Sequence, residues 1–519
     1  MIVSYGRKTL FGLRTVAVAR RFADTYVVGC FLRTVLTGLV VLPSLLAADL
    51  SGLRSALQAG LDSTSGRKAV WGAMIVSGDG SVVFATNIHR LFIPASNTKL
   101  FTAAFALDHF GPDWRLRTPV YANGALEAGG SLKSDLWIAG QGDPRLGSAP
   151  ESVNFVDSLA AFAETLHARG LRHLEGDLVL CDAALRTASA GPGWESEDLV
   201  EWYGAPVSAF VANDNSFRLT ATSAERAGQP ALFRTEPQVP SIQVDWRVST
   251  STNKNHAVAY SREPGRSVLK FTGRLPLGSR PWMPEFSVAD APLYFGELLK
   301  EAMERRGIDV SGTVRIVHST NGMPPGEFAA WVSEPMSAWL ARCLKPSQNL
   351  HAQLLLAQVG RDAEKTRPAP ELSHDRIGLA QMPSFLERAG VPVAEVRLEE
   401  GSGLSRGNRV SPAATVALLR HMRSRRDFQT WLAALPVAGV DGTLKNRFRK
   451  GPATGKVRAK TGTLRGVNAL AGYVTTAAGE ELTFAIYANE ATLDPEARVR
   501  MDRFVEMLAA LPSRIVSER

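Results

Sequence analysis

Three short motifs hold the residue types that acyl-transfer chemistry needs. Ser96-Asn97-Thr98-Lys99 puts a hydroxyl and an amine three residues apart at a predicted helix start, where positions i and i+3 share a face. A deprotonated amine there is a general base for the serine. A helix N-terminus adds backbone N–H donors and a favourable dipole for a developing anion. Ser347-Gln348-Asn349 opens a second amphipathic pattern, and Lys460-Thr461-Gly462-Thr463 follows a β-type approach. Each motif is weak alone. S-x-x-K recurs at Ser65–Lys68, Ser251–Lys254 and Ser267–Lys270, and S-x-N at Ser152–Asn154, Ser251–Asn253 and Ser319–Asn321. K-T-G occurs once, against roughly a tenth of an occurrence expected from average composition. The plain alternatives are helix caps for Ser96 and Ser347, and a strand ending in a Gly turn for Lys460–Thr463.

The positioning elements are legible around these motifs. Ala69–Val76 and Ser81–Ala85 read as strands around Gly78-Asp79-Gly80, followed by a helix over Ser96–Phe110. From about Tyr121 to Met323 the chain is rich in Gly, Pro and Trp. Its β-type runs include Leu136–Ala139, Asp177–Leu180, Ser241–Trp246 and Ser267–Phe271. Helical patterns return over Pro335–Leu344, Ser347–Val359 and Ser411–Arg423. The chain then closes with Lys456–Lys460, a hairpin of Asn468–Thr475 with Leu482–Ala488, and a helix over Asp494–Ala510. A strand-rich middle bracketed by helical and strand segments reads as an insertion. The expected division is therefore one α/β (α+β) domain from 49–120 and 324–519, with a β-rich insertion at 121–323.

In this order the motifs are far more specific than singly, because S-x-x-K, S-x-N and K-T-G form the signature of penicillin-binding proteins and serine β-lactamases. From about residue 66 onward the chain resembles the D-alanyl-D-alanine carboxypeptidase/endopeptidases among the class C, low-molecular-mass penicillin-binding proteins (peptidase family S13). The resemblance includes Pro94–Lys99, Gly142-Asp143-Pro144-Arg145-Leu146, Gly193-Trp194, Ala205-Pro206, Gly401-Ser402-Gly403-Leu404-Ser405-Arg406 and Asp441-Gly442-Thr443-Leu444. It implies a β-lactamase/DD-peptidase-like fold, an antiparallel sheet flanked by helices, with the insertion between the first and second motifs. It also implies roles. Ser96 attacks a D-alanyl peptide bond and Lys99 takes its proton, the second cation Lys460 and partial burial together favouring a neutral Lys99. Ser347 relays the proton, and Asn349 orients Lys99 and the substrate backbone. Lys460, Thr461 and Thr463 receive the terminal carboxylate, Gly462 leaves room for the substrate, and the N–H groups of Ser96 and Thr463 form an oxyanion hole. Asp198, Tyr203 and Arg406 match the pocket for the amino-bearing end of the stem peptide. Glu400, Gln353 and Arg465 depart from the family pattern and leave substrate preference open. No cofactor and no metal are expected. The implied partners are peptidoglycan stem peptides, with β-lactams as covalent inhibitors.

Composition excludes several other classes. The 519 residues carry 45% apolar and 21% charged side chains and three Cys, a globular composition without a disulfide scaffold. There is no CxxC or HExxH, so neither a structural zinc nor a metalloprotease is indicated. The net charge of +9 invites a nucleic-acid reading, but six Lys/Arg and one Asp fall in residues 1–48. That leaves 53 against 49, or +4, with no recognised nucleic-acid module. The basic stretch of 1–48, the uncharged run Thr34–Leu46 and Ala47-Ala48 read as a secretory signal peptide, hence a periplasmic location. An uncleaved anchor and a lipoprotein box at Val27–Cys30 are the weaker readings. Gly403–Gly407 fits G-x-S-x-G, but a hydrolase elbow needs a helix directly after it, where Asn408, Arg409 and Pro412 follow. Cys181 and Cys343 are expected as free thiols. A β-lactamase or esterase on the same frame, and a non-catalytic wall-binding protein, remain as alternatives; peripheral membrane contact and homodimerisation stay open.

Overall fold

The structure, a computed structural model, describes residues 50–62, 69–146, 159–494 and 496–515. The predicted signal peptide, the box at Cys30, Ser65–Lys68 and Ser152–Asn154 lie outside the described residues.

A five-stranded antiparallel sheet runs in the order Val457–Leu464, Val467–Thr475, Glu481–Asn489, Val70–Val76, Val82–Thr86. The first hairpin of the chain thus completes a sheet begun near its C-terminus, with Val70 opposite Asn489 and Val76 opposite Thr483. Both faces of the central strands are covered, which is why they read as nearly continuous apolar runs. Successive side chains alternate between two cores. Phe484, Ile486 and Ala488 join Leu57, Met501 and Phe504 on one face, under Leu50–Asp62 and Ala497–Ala509. Ala485 and Tyr487 face the other, larger core under Pro412–Ser424. Phe84 meets Phe504 edge-on at 5.4 Å, and Phe92 stacks on Tyr487 at 5.8 Å.

The helix Thr98–Phe110 is buried on all sides from Thr98 to Leu107. It packs among Met336–Leu344, Asn349–Glu364 and Pro412–Ser424. Such enclosure matches a helix without a wide polar face, and it puts Lys99 in the interior. The helix begins later than the sequence pattern predicts, because Ala95–Asn97 form a separate 3₁₀ turn ahead of it.

The middle of the chain forms a mixed five-stranded sheet in the order Val314–Val317, Leu178–Cys181, Leu136–Ala139, Arg117–Ala122, Glu327–Val332. Three three-stranded sheets accompany it: Val244–Ser251, Leu269–Pro276 and Ala257–Arg262; Glu285–Ser287, Ser216–Thr222 and Leu232–Glu236; and the short strands Asp309–Val310, His173–Leu174 and Ser131–Leu132. The strands Arg117–Ala122 and Glu327–Val332 carry the middle sheet a few residues to either side of 121–323. The region also contains the helices Ala160–Ala168 and Ala291–Arg305, which its Gly- and Pro-rich composition did not predict.

Candidate active site

The nucleophile turn is fastened to the sheet before it reaches Ser96. Asn489, at the end of its strand, accepts from Ile93 N at 2.7 Å and donates back to Ile93 O at 3.2 Å. Phe92 bridges Val410 from the other side. Ser96 then lies partly exposed at the cleft, two residues ahead of the enclosed helix. Lys99 Nζ donates to Ser96 Oγ at 3.0 Å, to Asn349 Oδ1 at 2.5 Å and to Ser402 O at 2.6 Å. Its side chain is fully buried. Burial lowers its pKa to about 8, against an opposing pull from Cys343 and Glu400.

The other two motifs converge on the same spot. Lys460 Nζ, also fully buried, donates to Ser347 Oγ at 2.8 Å and to Thr461 O at 2.9 Å. Its pKa is held well below the ordinary value, first by burial and then by the like charge of Lys99. For Lys99 the expectation named both the like charge of Lys460 and partial burial; burial is the leading cause there, and Lys460 is not among the causes. Ser347 does not cap its helix. It sits at φ +71° ahead of the N-cap residue Gln348, a left-handed conformation that a serine adopts only under external constraint. Asn349 spans the site, donating to Tyr203 O at 2.8 Å while accepting from Lys99.

Lys460–Thr463 run along the edge strand of the sheet. Ala459 N donates outward to Pro436 O, so the two-residue alternation turns the N–H groups of Thr461 and Thr463 to the same free edge. Thr461 Oγ1 donates to Thr443 Oγ1 at 2.8 Å, and Thr463 is exposed. Gly462 has a reason other than room for the substrate. A Cβ there would lie 2.5 Å from Pro94 O and 3.2 Å from Ala95 Cβ, so the strand can approach the nucleophile turn only without a side chain.

Tyr203 OH donates to Asp198 Oδ1 at 3.1 Å. Burial pushes the Asp198 carboxyl up, with Glu195 and Glu197 adding to it against the Tyr203 bond. Arg406 donates to Arg465 O at 2.9 Å and lies 3.5 Å from Glu195. Glu195 is thus the common neighbour of the expected ammonium and carboxylate ligands. Two of the departures from the family pattern point inward. Gln353 accepts from Gly401 N at 2.6 Å. Glu400, 1% exposed, accepts from Ser402 N at 2.7 Å, Gly403 N at 2.5 Å and Asn408 Nδ2 at 2.6 Å. Both hold the loop behind Lys99, a role the sequence reading missed. Its signal was an acidic residue directly before Gly-Ser-Gly, where small residues leave successive N–H groups free to meet one carboxylate.

The decoys resolve structurally. Ser405 of the G-x-S-x-G run is buried and donates to Glu399 at 2.6 Å. Ser251 and Ser319 accept from Asn253 N and Asn321 N, each at 3.1 Å, as turn-forming serines. Cys181 and Cys343 are buried free thiols.

Comparison with known proteins adds an independent line. Residues 53–511 match the model of the D-Ala-D-Ala carboxypeptidase 3 (S13) family. The chain is 33% identical over 488 residues to a D-alanyl-D-alanine carboxypeptidase of Actinomadura sp. (strain R39), covering 91% of this chain and 87% of that protein. It is 27% identical over 428 residues to D-alanyl-D-alanine carboxypeptidase DacB of Haemophilus influenzae, covering 81% and 85%. The crystal structure of penicillin binding protein 4 from Haemophilus influenzae superimposes with a TM-score of 0.73 at 26% identity, over 88% of this chain and 98% of that one.

Proposed function

The chain belongs to the S13 family of D-Ala-D-Ala carboxypeptidases, and on that premise we propose how its residues remove the terminal D-alanine from peptidoglycan stem peptides. Lys99 withdraws the proton of Ser96 as the serine oxygen attacks the D-Ala-D-Ala carbonyl. The peptide bond breaks, and the proton passes by way of Ser347 to the departing D-alanine amine. Water then hydrolyses the ester left on Ser96. The observation that carries this reading is the pairing of each buried lysine with its own serine hydroxyl, Lys99 with Ser96 at 3.0 Å and Lys460 with Ser347 at 2.8 Å.

Around this core, Thr461, Thr463 and Lys460 take the terminal carboxylate, and the Ser96 and Thr463 N–H groups stabilise the oxyanion. Asp198, Tyr203 and Arg406 receive the amino-acid centre at the far end of the side chain. A cross-linked stem presents the same D-alanyl carbonyl with the side-chain amine of a neighbouring stem as its leaving group, so DD-endopeptidase cleavage uses the same groups. β-Lactams mimic the scissile amide and acylate Ser96; a related Haemophilus influenzae structure, 25% identical with a TM-score of 0.68, is a complex with a β-lactam. Peptidoglycan lies outside the cytoplasm, which supports export with residues 1–48 as the signal. No helix among the described residues is long and apolar enough to cross a membrane.

The test is to label the protein with a fluorescent β-lactam beside Ser96→Ala, then supply a D-Ala-D-Ala pentapeptide. Label on the wild type alone, with D-alanine released, is the expected result. Equal labelling of the variant removes Ser96 as nucleophile; acylation without D-alanine release turns the reading towards a β-lactamase-like hydrolase.

A further inference from the structure

We propose that Asp214, supplied by the strand-rich middle of the chain, is a positioning residue that sets Ser347 and Asn349 against the two lysines. The inference rests on the acyl-serine reading above. Asp214 Oδ1 accepts from His351 Nε2 at 2.8 Å, and Oδ2 accepts from Gln348 Nε2 at 2.6 Å. Gln348 is the residue between Ser347 and Asn349, and His351 stands in the first turn of the helix that follows. One carboxylate therefore grips two residues that closely follow Ser347, which must be held at φ +71°. Nothing within the helix does this, since Gln348 makes no side-chain cap bond of its own. The two residues flanking Gln348 each contact a lysine, Ser347 at 2.8 Å from Lys460 and Asn349 at 2.5 Å from Lys99. A shift of Gln348 is passed to both.

The segment that carries Asp214 is itself held in an uncommon shape. Asn213, Asp214 and Asn215 stand at φ 52°, 53° and 53°. Left-handed backbone is unfavourable for L-residues, and Asn and Asp are the types that tolerate it, normally one residue at a time. Three in succession persist because the surroundings bind them. Asn213 Nδ2 donates to Tyr294 OH at 3.0 Å, Asn215 Nδ2 to Pro206 O at 2.9 Å, and Ser216 Oγ to Asn213 O at 2.8 Å. Asn215 Oδ1 accepts from Ala212 N at 3.2 Å. The strained turn aims one carboxylate at the S-x-N segment. Despite burial, which raises it, the Asp214 carboxyl lies below its ordinary pKa because of His351 and the Gln348 hydrogen bond, so it meets both donors as an anion. Tyr203 O, on Asn349, makes the second contact from the same stretch of chain.

The experiment uses the full protein with Asp214→Ala, Asp214→Asn and Gln348→Met, beside wild type and Ser96→Ala. Three quantities are read: the rate constant for β-lactam acylation, kcat and KM for a D-Ala-D-Ala peptide, and the thermal midpoint. Asp214→Ala is expected to slow acylation on the order of a hundredfold, as small misplacements of reacting groups do. The loss should fall on kcat, with KM changed by no more than about twofold. Asp214→Asn, which can still bond both partners once the Gln348 amide turns over, restores most of the rate. Gln348→Met reproduces the loss without touching the strained turn, and so stands in where Asp214→Ala does not fold. Wild-type acylation by Asp214→Ala or Gln348→Met overturns the proposal. So does an equal loss of rate in Asp214→Asn and Asp214→Ala, which would mark a general packing role. A wild type that labels no more than Ser96→Ala overturns the acyl-serine reading itself.

Discussion

The Nζ of Lys99 donates to the backbone carbonyl of Ser402 at 2.6 Å. That carbonyl faces the lysine because the N–H of Ser402 and of Gly403 are both drawn the other way, onto the carboxylate of Glu400 at 2.7 and 2.5 Å. With Asn349 Oδ1 taking a second proton at 2.5 Å, the third N–H of the ammonium is directed at Ser96 Oγ. An ammonium has three donors, and all three are assigned. The direction of proton transfer is thus set by a loop far from Lys99 in the chain.

Glu400 should accordingly be essential to geometry without touching substrate. Glu400→Gln puts an amide donor among the donors of Ser402, Gly403 and Asn408. Glu400→Ala leaves those donors without an acceptor, at about 1–3 kcal/mol for each that water does not reach. Both variants are expected to lower the thermal midpoint and to slow β-lactam acylation, with Ala the more damaging to stability. Unchanged acylation in Glu400→Ala would show that the Ser402 carbonyl holds its place without the carboxylate.

Sequence made the three motifs legible because each is local: Ser96 with Lys99, Ser347 with Asn349, and Lys460 through Thr463 lie within one turn or strand of each other. Central strands such as Glu481–Asn489 were legible for a similar reason, since burial on both faces leaves an unbroken apolar run. Glu400 and Asp214 were not legible in their roles. Asp214 meets Gln348 and His351 across 134 and 137 residues, a contact no periodicity encodes. Glu400 instead bonds Ser402, Gly403 and Asn408 within 8 residues. What the sequence hid is that this local knot stands behind Lys99, which Ser402 meets across 303 residues. The start of the nucleophile helix was misjudged for another reason. The apolar pattern continues through Ala95, and only backbone geometry separates the 3₁₀ turn from the helix.

Gly462 gives a sharp steric test. In Gly462→Ala the new methyl meets Pro94 O at 2.5 Å and Ala469 Cβ at 3.0 Å, so either the strand or the nucleophile turn must move. The expected result is a fall in acylation rate of about tenfold or more, since displacement of reacting groups is costly. It should be seen equally with large and small β-lactams, because the clash is with the protein itself. A loss confined to bulky substrates would return the glycine to its expected role of leaving room for the ligand.

Asp198 and Arg406 bond Tyr203, Arg465 and Glu195 and neither of the two lysine–serine pairs, which separates their effect from the chemistry. Asp198→Asn and Arg406→Ala are expected to raise KM for a stem peptide ending its side chain in an amino acid, by roughly tenfold for each lost charge-assisted bond. Acylation by a penicillin lacking that group should change little. Arg406→Ala also frees Glu195 from its 3.5 Å pairing, leaving Glu195 and Asp198 to attract the ammonium alone. If both variants slow penicillin and peptide alike, these residues shape the cleft and do not select its ligand.

The pH dependence follows from Lys99. Only the neutral amine can accept the Ser96 proton, and burial brings its pKa from 10.5 down to about 8. The competent fraction therefore grows as pH rises through about 8, from roughly a tenth at neutral pH. Acylation of Ser96 should increase about tenfold between pH 7 and 9 and then level, and a flat profile would exclude Lys99 as the proton acceptor. The same shift fixes a sign for stability. Between about 8 and 10.5 the unfolded chain binds the Lys99 proton and the folded chain does not, so stability rises with pH across that window. Below it both states carry the proton, and the cost of burying the charge, on the order of 3 kcal/mol, is present in full. The stability difference between Lys99→Met, which has no proton to lose, and wild type should therefore shift in favour of wild type as pH climbs from about 8 to 10.5. Denaturant titrations of the two proteins across that range measure it, and parallel curves would mean that Lys99 is not held neutral by burial.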